Sequence, residues 1–223
     1  MIALEENLRT VVGEISMPLG TFTRRMTVAR LVDGRLVVFS AIALAEAEMR
    51  SLEAWGRPAF LVVPNERHRK DLAIWKARYP DIRVVAPPGA RTKVAEVAVV
   101  DETSPDFGDP SVRFVVVAGT KDREAALVVT SPGGTTVVVN EVIWNVADRP
   151  GLGGLAFHAI GFTGDGPRIP KITAALSISD RPAFKSDLER WATIPDLRRI
   201  VVSHGDVIER DPAAVLRALA ASL

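Results

Sequence analysis

The chain holds three histidines, and two of them follow closely on β-type apolar runs that end abruptly in polar residues. Three such runs carry chemistry at their ends: "FLVVPNERHRKD", "TVVVNEVIWN" and "IVVSHGD". Ends of strands that lie side by side in a sheet emerge close together in space, which is how open α/β folds assemble binding sites. That geometry would bring Asn65, His68 and Asp71, then Asn140 and Glu141, then His204 and Asp206 toward one rim. Two imidazoles and several carboxylates meeting there are the ligand types for zinc or a similar divalent ion.

Each of these residues also has a plainer reading. His204 could cap the strand turn by donating to a backbone carbonyl. His68 sits just before a predicted helix and could be a solvated helix-start residue. Glu141 lies in an apolar run, where a carboxylate is costly to bury unless paired, so it is a site residue or faces outward. Asp71 reads as a first-turn acid favoured by the helix dipole, and Asp206 as a turn aspartate bonded to nearby backbone. The Arg24-Arg25 pair reads as a solvated face.

The elements that must position these residues can be followed along the chain. Met26 to Val32 and Leu36 to Ser40 flank Asp33-Gly34, a dipeptide suited to a tight hairpin turn. Ala43 to Trp55 is rich in helix formers, with Leu44, Met49, Leu52 and Trp55 sharing a face and Gly56 as a stop. A buried strand over Ala59 to Val63, a helix over Arg69 to Tyr79 and a short strand in "DIRVVAPPG" complete an alternating α/β unit.

The second half is different. "SVRFVVVAG", "AALVVTS" and "TTVVVNEVIW" are β-branched runs that predict an antiparallel hairpin system. Asp148 to Pro170, which contains His158, is long for a loop and reads as a lid or as a helix without clear periodicity. Arg181 to Trp191 predicts an amphipathic helix, Ile200 to Val202 a strand, and Pro212 opens a terminal helix.

Composition narrows the partners. The 223 residues, 48% hydrophobic and 25% charged, suit one domain spanning 1–223. With 28 Lys and Arg against 27 Asp and Glu, there is no basic footprint for nucleic acid, so a small-molecule substrate or ligand is expected. Cysteine is absent, which excludes thiolate metal sites and fits a reducing compartment. No apolar run reaches the roughly 18 residues of a membrane span, and "MIALEENLRTVVGE" has no signal-type apolar core. The expectation is a cytoplasmic protein without membrane contact, with hairpin edges that could pair between copies. "TSPGGTT" lacks the lysine of a phosphate-binding loop, and no serine stands in a nucleophile elbow.

In order and content, "RRMTVARLVDGRLVVFSAIAL", "VPNERHRKDLAIW", "TTVVVNEVIWN" and "VVSHGDVI" together resemble the metallo-β-lactamase superfamily, specifically a divergent branch of it. The likeness runs from about Gly20 to Asp206 and implies a four-layer αββα sandwich whose metal site lies at one edge of two packed sheets. The superfamily's H-x-H-x-D-H signature, laid from Asn65, meets Asn65, Arg67, Arg69 and Lys70. A further metal histidine falls near Gly119-Thr120 and is also replaced. Glu141 matches the bridging aspartate and His204 the last histidine.

Two functions follow from this pattern. In the first, His204, Glu141 and His68 form a rearranged set around one divalent ion, zinc, iron or manganese, with an open position that acidifies water. The reaction would be hydrolysis of an ester, thioester, lactone or phosphoester. In the second the metal is lost and the fold serves as a scaffold or anion-binding module. Asn65, Arg67, Arg69, Lys70 and Asp206 are the candidate anion or substrate contacts in either case, since Arg and Lys beside such a site repel a dication and attract phosphate or carboxylate.

Overall fold

Residue parity along the strands decides which side of each sheet a side chain covers. In the strand Arg35–Phe39, Leu36 and Val38 join one apolar cluster while Val37 and Phe39 join another. In the strand Leu197–Val202, Ile200 and Val202 likewise part from Val201. Both faces of these strands are buried, so their sequences read as continuous apolar runs rather than as alternation.

The computed structural model describes residues 1–17 and 20–223. Its first sheet has six strands in sequence order: β1 (Ile2–Glu5), β2 (Leu8–Met17), β3 (Gly20–Arg30), β4 (Arg35–Phe39), β5 (Arg57–Val62) and β6 (Arg83–Val85). Strands β1 to β4 are antiparallel. Parallel pairing of β4, β5 and β6 is made by the crossovers α1 (Glu46–Trp55) and α2 (Leu72–Arg78), followed by the short α3 (Arg91–Ala95). The second sheet orders β10 (Leu197–Val202), β9 (Gly134–Val139), β8 (Ala125–Ser131) and β7 (Val112–Val116), with β9 and β10 parallel. Four further helices complete the chain: α4 (Gly151–Ala159), α5 (Lys171–Ser177), α6 (Arg181–Ala192) and α7 (Pro212–Ala221).

Three apolar clusters define four layers. Met49, Leu52, Leu72 and Trp75 of α1 and α2 cover one face of the first sheet. Phe184, Leu188, Trp191, Leu216 and Leu219 of α6 and α7 cover the outer face of the second. Between the sheets, Val37, Phe39, Phe60 and Val62 meet Leu127, Val129, Val138 and Val201. This is the αββα sandwich expected from the sequence. Among the described residues no helix is long and apolar enough to cross a membrane.

The alternating unit and both hairpins stand where the sequence placed them, and Gly34 takes the positive φ (82°) that its turn requires. Other elements differ. Strands β1 and β2 were not expected, because Arg, Glu and Gly interrupt the apolar pattern of "LRTVVGEISM". Of the two readings of the stretch 148–170 the helix is the one found, α4, and its low-propensity "GLGGLAFHA" is why no periodicity showed. Helix α2 begins at Leu72 rather than Arg69, and the run expected to continue to Trp144 leaves the sheet after Val139. There the Glu141 N–H is taken by the Glu124 carboxylate at 2.9 Å and is lost to the ladder.

Candidate metal centre

Four strand ends converge on one point. Strand β4 runs out to Ser40, β5 leads through Val63 and Pro64 to Asn65 and His68, β9 runs out to Glu141, and β10 to His204. His68 Nε2 lies 2.8 Å from Glu141 Oε1, and His204 Nε2 lies 3.2 Å from the same oxygen. One ligand atom from each of the three residues falls within 4.8 Å of the others, the spacing of a shared metal ion. Glu141 and His204 are 8% and 4% exposed.

The second nitrogen of each ring is committed. His204 Nδ1 stands 2.8 Å from the Thr23 carbonyl, which can only accept, so Nδ1 carries the proton. A protonated ring donates Nε2–H to the Glu141 oxygen, and an unprotonated one offers the Nε2 lone pair to a cation shared with that oxygen. Holding Nδ1 on a backbone carbonyl leaves Nε2 as the nitrogen aimed at the shared site, which is how metal-binding histidines are oriented. His68 Nδ1 lies 2.8 Å from the Ser40 hydroxyl, which can donate or accept, so either tautomer is open to it. Ser40 holds a left-handed φ of 57°, backbone strain of the kind that clusters at sites.

Burial alone would push the Glu141 carboxyl up, but hydrogen bonds and charge from His204 and His68 outweigh it and hold the group well below the usual carboxylate range. It stays ionised. Burial pulls the His68 imidazole below its ordinary value against the pull of Glu141, which favours the neutral form that can act as a ligand. Two imidazoles and one carboxylate are a donor set that fits a single divalent ion with an open position.

Glu124, which sequence reading passed over inside "AGTKDRE", braces this cluster. Asn65 Nδ2 donates to one of its oxygens at 2.9 Å, and the Glu141 N–H donates to the other. Asn65 Oδ1 in turn accepts from the N–H groups of Arg67 and His68, at 2.8 and 3.1 Å, and fixes the loop that carries His68. Burial, reinforced by the charge of Glu141, pushes the Glu124 carboxyl up to about 8.

A cavity of about 270 Å³ opens beside the three ligand residues. Phe22, Trp144 and Phe162 form its aromatic wall, with Trp144 tilted over His204 at 4.1 Å between ring centres. Arg24, Arg67 and Lys70 also line it. The remaining expected contacts are elsewhere. Arg69 turns away to the carboxylate of Glu96 at 2.7 Å and to the Lys93 carbonyl on α3, drawn by the nearest acid. Asn65 is buried with its amide and carbonyl both spent on protein partners. Asp206 is exposed outside the cavity, where its backbone pairs with Asn145.

Two further readings are corrected, and His158 is located. Asp71 stands at the N-cap of α2 but makes no side-chain bond to the helix. It pairs with Arg24 and accepts from the Ala43 N–H at 3.1 Å, because β3 packs its side chain there. Arg24 and Arg25 are no solvated face, since they lie within the six-stranded sheet. Arg25 is buried and donates to the carbonyls of Val202 and Gly205, at 3.2 and 2.8 Å, tying β3 to the His204 turn. His158 sits on α4, exposed, with Nδ1 2.9 Å from Asp148.

No protein-family model and no curated protein sequence matches the chain. Solved structures do match it over nearly its whole length. It superposes on VMB-1 with a TM-score of 0.67 at 14% identity, covering 99% of this chain and 95% of that one. It superposes on the DIM-1 metallo-β-lactamase with a TM-score of 0.66 at 9% identity, covering 99% and 96%. For a metallo-β-lactamase from Erythrobacter litoralis the TM-score is 0.62 at 16% identity, over 99% and 95%. The chain therefore has the metallo-β-lactamase fold.

Proposed function

We propose that the protein is a metal-dependent hydrolase of a small ester, thioester or phosphoester, with one divalent ion held by His68, Glu141 and His204. The observation that carries the reading is the convergence of ligand atoms from His68, Glu141 and His204 within 4.8 Å of one another, with His204 Nδ1 locked to the Thr23 carbonyl so that Nε2 is the nitrogen turned toward Glu141. When bound, a divalent ion at a three-ligand site supplies Lewis acidity and lowers the pKa of water in the open position.

The rest of the chemistry belongs to the chain. Asn65 and Glu124 hold the His68 loop and the Glu141 backbone in register. Trp144 and Phe162 exclude water from one side of the site, which strengthens every electrostatic contact within it. Arg67 and Lys70 draw an anionic substrate or product toward the ligand residues.

The test is elemental analysis of protein purified without a histidine tag, together with turnover of an ester, thioester and phosphoester panel. Near-stoichiometric zinc, iron or manganese, lost along with turnover in His204→Ala, is the expected result. Folded protein that refuses all three ions would overturn the reading.

A further inference from the structure

We infer that the molecule this cavity takes is an anionic amphiphile, its apolar body against Phe22, Phe162, Ile172 and Leu176 and its carboxylate or similar anion between Arg67 and Lys70. Calling that molecule the substrate rests on the hydrolase reading above, whereas its binding does not.

Charge comes first. Among the described residues lining the cavity, Glu141 is the one acid, set against Arg24, Arg67 and Lys70. Arg24 is neutralised by Asp71. Arg67 and Lys70 flank His68 on its loop, are exposed, and make no ion pair among the described residues. Two unpaired cations beside a cavity whose only acid is occupied by two imidazoles leave it positive, and a bound metal ion would add to that. Arg69, between them in the sequence, turns instead to Glu96.

Shape and polarity supply the other half. Ile172 and Leu176 project from one face of α5, line the cavity, and are still 42% and 68% exposed. Apolar side chains kept in water at a cavity rim are a standing cost that an apolar ligand removes. Phe22 and Phe162 continue that surface inward to Trp144 and His204. A short polar anion such as phosphate would leave this wall wet, and a neutral hydrocarbon would leave the two cations unused.

The test is calorimetric titration with octanoate, 1-octanol and octylamine, which share a chain and differ in head-group charge. Octanoate should bind about tenfold more tightly than octanol, the worth of a charge-assisted contact, and octylamine more weakly than either. The Arg67→Ala/Lys70→Ala double variant should bring octanoate down to the octanol level and leave octanol unchanged. Both side chains are exposed, so its fold is not at issue. Leu176→Gln should weaken octanoate and octanol alike. Octanoate no tighter than octanol, or a preference that survives in the double variant and so belongs to the metal, overturns the inference. Protein that keeps the preference and the double-variant effect yet hydrolyses nothing supports it, and separates it from the hydrolase reading.

Discussion

The side-chain amide of Asn65 donates to the buried carboxylate of Glu124 across 2.9 Å. Through this bond the loop carrying His68 is tied to the strand end carrying Glu141, since the other Glu124 oxygen receives the Glu141 N–H. The candidate metal ligands thus come from two different sheets and share one brace.

Asn65→Ala breaks the brace. It leaves a Glu124 oxygen without its partner and frees the N–H groups of Arg67 and His68. The expected cost is roughly 1–3 kcal/mol of stability, with metal affinity down roughly tenfold to a hundredfold because the His68 loop loses its register. Urea unfolding and a competitive zinc titration read the two effects. Asn65→Asp keeps the acceptor for the loop but sets a second carboxylate against Glu124, so its stability should fall more steeply with rising pH than that of Asn65→Ala.

The chelated protein should lose stability as pH rises from 6.5 to about 8. Glu124 has a folded pKa raised to about 8 from 4.5, so the folded state favours its neutral form and that advantage drains away as pH climbs toward 8. His68, shifted the other way, acts only below 6.5, and the lowered Glu141 acts only below 4.5. The interval above 6.5 therefore isolates Glu124, and the drop across it is on the order of 1–2 kcal/mol. Unfolding midpoints at the two ends of the interval measure it. Glu124→Gln should flatten the slope, and an unchanged slope would assign it to another group.

Legibility followed burial on both faces. Strands β4, β5 and β10 are flanked by apolar clusters on either side, so their apolar runs and the polar residues at their ends could be read directly, and His68, Glu141 and His204 with them. The supporting residues could not be read. Glu124 and Asp71 sit among charged neighbours in the sequence and look like solvated acids, and only the packing of distant strands shows that each is buried with a partner. Helix α4 was hidden for a related reason: its glycines give no helical preference, and the contact of Phe157 with Phe22, 4.4 Å between ring centres, holds it in place.

Gly205→Ala should be among the most damaging single substitutions in the chain. Gly205 has φ +98°, and a Cβ there would stand 1.9 Å from the Asn145 carbonyl oxygen, on backbone that cannot yield cheaply. The strained φ alone costs about 1–2 kcal/mol, and the clash adds to it by pushing the His204 turn away from Thr23. Gly151→Ala is the control, with a comparable φ of +87° and no atom within 4 Å of the added methyl. Gly205→Ala should therefore lose both stability and metal affinity, and Gly151→Ala about 1 kcal/mol of stability with metal affinity intact. Equal losses in the two variants would show that the clash is relieved by a small shift of the turn.

Asp71 controls how much positive charge the cavity holds. Its carboxylate pairs with Arg24, both side chains largely buried, and also accepts the Ala43 N–H. Asp71→Ala leaves a guanidinium at the cavity without its counter-charge, and breaking such a pair from one side costs about 3 kcal/mol. The freed charge should act on ligands as well. Zinc affinity should fall because a third uncompensated cation repels the ion, and octanoate affinity should rise for the same reason. These opposite signs separate the electrostatic effect from simple loosening of the fold, which would weaken both ligands. Removing the partner too, in Arg24→Gln/Asp71→Asn, should recover much of the stability and return zinc and octanoate affinities toward those of the unaltered protein, the coupling expected of two groups in direct contact.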